Sequence, residues 1–130
     1  MAYRPGETDV ATPAGEVLRA GRGVCQDHAH VFAAASRQLG HPARYVSGYF
    51  RPDPSSGDSG LATHAWAEAW VGHLGWVGFD ASQGLCPTEC YVRVAVGRDY
   101  QDAAPMRGVR RGSGEQRVEV RLELRAIGEQ

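Results

Sequence analysis

Gly21-Arg22-Gly23-Val24-Cys25-Gln26-Asp27 is the stretch on which the fold reading turns. A glycine-rich turn feeds straight into a helical pattern, which puts a cysteine in the first turn of a helix. Free backbone N–H groups and the positive end of the helix dipole favour a thiolate there. From Cys25 to Leu39 the apolar side chains Phe32, Ala35 and Leu39 fall three and four residues apart, the period of a helix with one buried stripe. Gly40-His41-Pro42 stops it, because proline does not continue a helix and restricts the residue before it. On the other side, Thr12-Pro13-Ala14-Gly15-Glu16 reads as a cap, a proline at the first helical position and an acidic first turn. A short helix is predicted from there to Ala20, ending at Gly21, with residues 1–12 as an irregular or extended lead-in.

The chain after the second helix changes period. Ala43-Arg44-Tyr45-Val46-Ser47-Gly48-Tyr49-Phe50 reads as a strand, and Arg51 to Gly60 is too rich in proline, glycine and serine to be anything but a mobile loop. Two aromatic-rich runs follow, Thr63 to Val71 and Gly75 to Asp80, joined by Gly72-His73-Leu74-Gly75 as a hairpin turn. The hairpin lays His64 and Asp80 on neighbouring strands, with the register left open. Tyr91 to Val96 is a further strand. Residues 117–124 alternate Arg117, Glu119, Arg121 and Glu123 with Val118, Val120, Leu122 and Leu124, the pattern of a strand with one wet and one buried face. Helices first and strands after them predict an α+β fold with an antiparallel sheet.

The composition narrows the function classes. A chain of 130 residues is one domain's worth, so residues 1–130 are read as a single domain. Fourteen basic against fifteen acidic side chains leave a net charge of −1, which gives no reason to expect nucleic acid or an anionic membrane as partner. No apolar run approaches the roughly 20 residues a membrane span needs, and Met1 to Gly6 lacks the apolar centre of a signal peptide. Three cysteines do not all pair, which favours free thiols in a reducing compartment, the cytoplasm. Seventeen glycines exceed the usual share of about 7% and announce many tight turns between short strands.

Cys25, His64 and Asp80 then stand out as a set. A thiol nucleophile, an imidazole base and a carboxylate that orients it form the cysteine version of nucleophilic catalysis. Each has a plain structural alternative: a small buried cysteine, a satisfied strand histidine, a strand-ending aspartate that starts a turn. His28, one turn after Cys25, either pairs with the thiol directly or is a core histidine in an aromatic position, and the second reading is preferred. Zinc is the competing chemistry for Cys25-x-x-His28-x-His30 and Cys86-x-x-x-Cys90, but a structural site typically needs a cysteine pair two to four apart plus a second tight pair, and the first group is helical, with only Cys25 and His28 on one face. No metal and no cofactor are expected. Cys86 and Cys90 read as loop thiols, with a disulfide between them left open. Gly21-Arg22-Gly23 lacks the residues of a phosphate loop and reads as the turn that presents Cys25. Arg98-Asp99-Tyr100 reads as a surface ion pair.

Taken together these segments resemble the transglutaminase-like superfamily, in particular its bacterial branch of candidate cysteine proteases. The matching stretches are Gly23-Val24-Cys25-Gln26-Asp27 with Ala29-His30, Gly40 to Tyr49, His64-Ala65-Trp66-Ala67-Glu68, Gly75 to Asp80, and Arg93 to Tyr100, in family order over most of residues 21–112. The resemblance implies a papain-like core, a helix carrying Cys25 packed on an antiparallel sheet carrying His64 and Asp80, and implies that these three form the catalytic triad. Two positions depart from the family pattern. His28 stands where an aromatic or aliphatic residue is usual, and Ala81-Ser82-Gln83 stands where a proline and a polar pair commonly follow the aspartate. Members of this branch often carry a strand-rich region ahead of the catalytic part, so the chain reads as a fragment whose upstream domain is missing.

The reaction expected is acyl transfer or hydrolysis at an amide bond of a protein or peptide substrate, through a thioester on Cys25. Protease, deamidase and crosslinking outcomes stay open, as does the oxyanion donor, for which the Cys25 N–H, Tyr3 and Gln26 are candidates. The alternative from another class is a papain-like module that binds or assembles without turnover.

Overall fold

The computed structural model describes residues 1–51, 60–109, 111–115, 117, 119, 121 and 122. Strand β1 (Ala2–Tyr3) precedes helix α1 (Ala14–Ala20), strand β2 (Arg22–Gly23) and helix α2 (Cys25–Gln38). Strands β3 (Ala43–Phe50), β4 (Ala62–Val71), β5 (Gly75–Phe79) and β6 (Tyr91–Gly97) follow, with a single 3₁₀ turn at Gly72–Leu74 between β4 and β5. The four form one antiparallel sheet in the order β5-β4-β3-β6. The expected α+β architecture is therefore present, with the hairpin where the sequence places it. The predicted loop at 51–60 lies outside the described residues from 52 to 59. Of the strand predicted over 117–124, residues 118, 120, 123 and 124 also lie outside them, and 117, 119, 121 and 122 are in no strand.

Three local readings change. Pro13 is the N-cap of α1 rather than its first residue, and the Thr12 hydroxyl turns to Asp9 instead of capping the helix. The lead-in is extended at its start and does more than lead in: β1 pairs in parallel with β2, through Ala2 N–H to Gly21 O at 2.8 Å and Arg4 N–H to Gly23 O at 2.9 Å. The buried face of α2 runs through Cys25, His28, Ala29 and Ala33, with Phe32 partly covered, while Leu39 is 77% exposed. In the fold the contact surface of the helix is mostly alanine, shifted off the Phe32-Ala35-Leu39 stripe. Ala29 on the helix meets Tyr45, Ala65 and Ala103, and Phe32 stacks on Phe79 with centroids 5.0 Å apart. Small side chains on both layers let helix and sheet approach closely at native packing density.

The other charged feature of the sheet is Glu68, which is buried but fully paired. Arg44 reaches it at 2.6 Å and Arg93 at 3.1 Å, and the Arg44 guanidinium lies 4.2 Å from the Trp76 ring centre. Beyond β6 the chain folds back over α2. Tyr100 N–H donates to His30 Nε2 at 2.9 Å, Arg37 donates to Arg98 O at 2.7 Å, and Ala103 is wholly buried. Arg98-Asp99-Tyr100 is thus a docking turn. The exposed ion pair it makes is Arg98 with Asp102, at 2.5 Å. None of the helices among the described residues is long and apolar enough to cross a membrane.

Gly48 sits at a register shift between β3 and β6 and pairs with His64 on β4. A Cβ at this position would lie 2.1 Å from the Val92 carbonyl oxygen and 2.7 Å from the Trp66 ring. Because one neighbour is backbone, relief requires strand displacement. Gly48→Ala is expected to cost about 1–3 kcal/mol, read as a lower urea midpoint with an unchanged slope. A midpoint equal to that of the native chain would show that the sheet yields there.

Candidate active site

Cys25 opens α2 because everything before it is held. Gly21 ends α1 in the left-handed conformation, φ 67°, and β1 clamps the next two residues. Asp27, 3% exposed, then folds its carboxylate back to accept from the Val24 N–H at 2.8 Å and from the Thr8 hydroxyl at 2.5 Å. That return path passes over Gly23, where a Cβ would lie 2.7 Å from the Asp27 side chain. Glycine is required there by space. The thiol itself is 5% exposed, and it donates to Gln26 Oε1 at 3.3 Å.

Asp80 follows β5 directly, in a turn closed by Asp80 N–H to Leu85 O and Gly84 N–H to Asp80 O, both at 2.8 Å. It is 1% exposed and accepts five hydrogen bonds. His64 Nε2 and the Tyr91 hydroxyl reach Oδ2 at 2.5 and 2.8 Å. The Ser82 N–H, the Ser82 hydroxyl and the Gln83 N–H reach Oδ1 at 3.0, 2.6 and 3.2 Å. Burial alone would push this carboxyl up; the bonds from His64, Ser82 and Tyr91 outweigh it and hold it down at about 2. It is an anion throughout the physiological range.

His64 lies in an aromatic box, with Phe50, Tyr91 and Trp66 at centroid distances of 5.5, 5.8 and 6.3 Å. Burial would push the imidazole down, but the hydrogen bonds with Asp80 and Cys25, and the negative charge each can carry, raise it to about 9. Since Asp80 occupies Nε2, Nδ1 is the ring nitrogen left for the thiol. The structure therefore brings Cys25, His64 and Asp80 into one connected line from three separate elements. Tyr3 approaches it from β1: burial, together with the Cys25 thiol, raises its hydroxyl above its ordinary value.

Other candidates go elsewhere. His28 is buried in the helix face, as the core reading has it, although its Nε2 finds no partner among the described residues. His30 Nε2 is taken by the Tyr100 N–H. Among the described residues no group of three or more His, Cys, Asp and Glu side chains is arranged to hold a metal ion. Cys25, Cys86 and Cys90 are all free thiols. Two residues that the sequence reading passes over do matter here, Tyr91 and Ser82, both of which bond Asp80. Ser82 carried a signal, since an aspartate two residues before a serine is a common turn in which the carboxylate accepts from the backbone ahead. The departure Ala81-Ser82-Gln83 thus supplies three of the five bonds on Asp80. Tyr91 carried none, because its approach depends on β6 crossing to the far side of β3.

A cavity of about 530 Å³ is lined in part by His64 and Gln26, and a smaller one of about 220 Å³ by Val24, Gln26 and Asp27, the sequence neighbours of Cys25.

Comparison with known proteins supplies the family. An uncharacterized protein of Mycobacterium leprae is 42% identical over 127 residues, covering 95% of this chain and 45% of its own length. One of Mycobacterium tuberculosis is 41% identical over 117 residues, covering 84% of this chain and 37% of its own. A crystal structure from Cytophaga hutchinsonii, described as a candidate cysteine protease, superposes with a TM-score of 0.66 at 39% identity, over 80% of this chain and 34% of that one. The chain thus spans less than half the length of the relatives it matches. The family profile described as the transglutaminase-like superfamily matches residues 1–81, a span that takes in the thiol, the imidazole and the carboxylate, and to that superfamily the chain belongs.

Proposed function

We propose that the chain carries the catalytic centre of a thiol-dependent acyl-transfer enzyme acting on amide bonds of protein or peptide substrates, with Cys25 as nucleophile, His64 as acid and base, and Asp80 as the group that orients and charges His64. The observation that carries this reading is the doubly engaged His64. One ring nitrogen is fixed at 2.5 Å on a buried carboxylate, and the other is left for a thiol at a helix N-terminus. A structural histidine needs no such third partner. The solved relative described as a candidate cysteine protease supports the same class.

The steps balance within these residues. The Cys25 proton passes to His64 and the thiolate forms a bond to the carbonyl carbon, giving a tetrahedral oxyanion. The Cys25 N–H, which as a first-turn group has no helical partner, and the Tyr3 hydroxyl are the donors at hand; one such donor is worth roughly 3–4 kcal/mol. As the carbon–nitrogen bond breaks, His64 gives its proton to the departing amine and leaves a thioester. Water, or a second amine, then adds with His64 as base, and the thiol is restored.

Iodoacetamide labelling read by mass spectrometry tests the thiol, with Cys86 and Cys90 as internal controls. Cys25 is expected to react at least tenfold faster than either at pH 6, despite being the least exposed of the three. Incubation with peptide amides is expected to give a thioester mass increment on Cys25 alone. Equal labelling of all three with no increment would sink the enzyme reading and leave a module that binds without turnover.

A further inference from the structure

The larger cavity beside His64 has a chemical bias that the reaction itself does not require. Its described lining includes the hydroxyl side chains Ser47, Tyr49 and Thr63, and one permanent cation, Arg107, with no aspartate or glutamate among the described residues. Arg107 is poorly committed. Its one ion-pair contact among the described residues is with Asp102 at 3.8 Å, longer than a hydrogen bond, and Asp102 is already held by Arg98 at 2.5 and 3.2 Å. The docking turn at Tyr100 and Ala103 fixes where this segment leaves the core, so Pro105 to Gly108 form a wall of the cavity.

A second, independent sign lies deeper. Tyr45 lines the same cavity, is fully buried, and its hydroxyl has no partner among the described residues. Burial, with Cys25 nearby, pushes this phenol far above its ordinary value, so it is a permanent donor. Leaving such a donor unpaired costs about 1–3 kcal/mol. A bound ligand with an acceptor at that point removes the penalty.

We propose that this cavity holds an acyl group bearing a free carboxylate, bound by Arg107, with Tyr45 donating to an oxygen of the same group. The inference rests on the acyl-transfer reading. The acyl group stays bonded to sulfur while the amine leaves and water arrives, so the larger cavity suits it. The smaller one past Gln26, lined in part by Asp9 and Asp27, suits the departing or entering amine. A guanidinium selects a carboxylate over a carboxamide by charge and by its paired donors.

The test uses two peptide vinyl sulfones, which the Cys25 thiolate attacks by conjugate addition to form a thioether and which differ only in glutamate against glutamine next to the warhead. A third probe carries its carboxylate as a free α-carboxyl group. The glutamate probe is expected to modify Cys25 about tenfold faster than the glutamine probe, and Arg107→Gln is expected to bring that ratio to about one. Preference for the third probe over the first would assign the carboxylate to a chain terminus rather than a side chain, with the same dependence on Arg107. Tyr45→Phe is expected to slow all three by about threefold or more, and equal rates would remove Tyr45 from the binding role. A ratio of one in the native chain, or a ratio that survives Arg107→Gln, overturns the inference. Iodoacetamide, too small to report on the cavity, separates this failure from that of the underlying reading: if it labels Cys25 no faster than Cys86 and Cys90, it is the acyl-transfer proposal that fails.

Discussion

His64→Ala is expected to reduce turnover of peptide amides by on the order of 10⁴-fold, the scale on which triads lose activity when a member is removed. Two separate functions disappear with one ring. The thiol loses the acceptor for its proton, and the departing amine loses the acid that makes it a leaving group. The second loss is the larger, because an amide nitrogen expelled as an anion is a far poorer leaving group than an amine. The fold has less reason to suffer. Asp80 keeps Tyr91, Ser82 and the Gln83 N–H, four of its five hydrogen bonds, so the buried carboxylate is not orphaned. The expected result is therefore a chain that still folds, with its stability lowered by no more than about 3 kcal/mol, the contribution of the His64–Asp80 pair, and almost no turnover, measured by amine release in parallel with urea denaturation. An activity loss below tenfold with the fold intact would show that proton transfer runs through another group, and would remove His64 from the proposed mechanism.

Most of the architecture was legible because the signals were local. Gly40-His41-Pro42 ends α2, the glycine turn joins β4 to β5, and the run from Ala43 to Phe50 is β3 to the residue. What sequence periodicity misjudged was the buried side of α2. A hydrophobic pattern ranks Leu39 above alanine, yet the helix packs on a strand surface carrying Ala65, Ala67 and Ala69, and only small side chains fit. The parallel pair of β1 with β2 was invisible for a different reason. Each strand is two residues long, and a pair so short is specified by the chain's path around α1 rather than by its own side chains. The site divides along the same line. Cys25, His64 and Asp80 each carry a local setting that marks them. Tyr91 does not, since it reaches Asp80 from distant sequence through the crossing of β6, and neither does Arg107, which comes to the cavity wall through the turn that docks on α2.

Asp80→Asn should have the largest effect on stability, and its pH dependence identifies the cause. His64 titrates at about 9 in the fold against about 6.5 for a free imidazole. A raised value means that the folded chain binds this proton more tightly, so the stabilisation is complete below pH 6.5 and disappears as pH rises through 9. Asp80, held at about 2 against an ordinary 3.8, has the opposite sign: its contribution is present above about pH 4 and is lost as pH falls towards 2. Between pH 4 and 6.5 both are in force. They describe one pair, so they are not added, and the larger displacement corresponds to about 3 kcal/mol. With side-chain exposures of 9% and 1%, solvent screening removes little of it. Asparagine in place of Asp80 keeps the shape and removes the charge, so that burial, which lowers the imidazole, is opposed by Cys25 alone. Urea titrations at pH 6 are expected to show the variant less stable by about 3 kcal/mol, with the difference shrinking at pH 9.5 and at pH 2.5. Amide turnover should move in step, its alkaline limit falling below pH 9 as His64 loses its proton earlier. A stability difference that stays constant across the whole range would mean that Asp80 acts through its turn alone, as the acceptor for Ser82 and Gln83, and that the charge on His64 owes nothing to it.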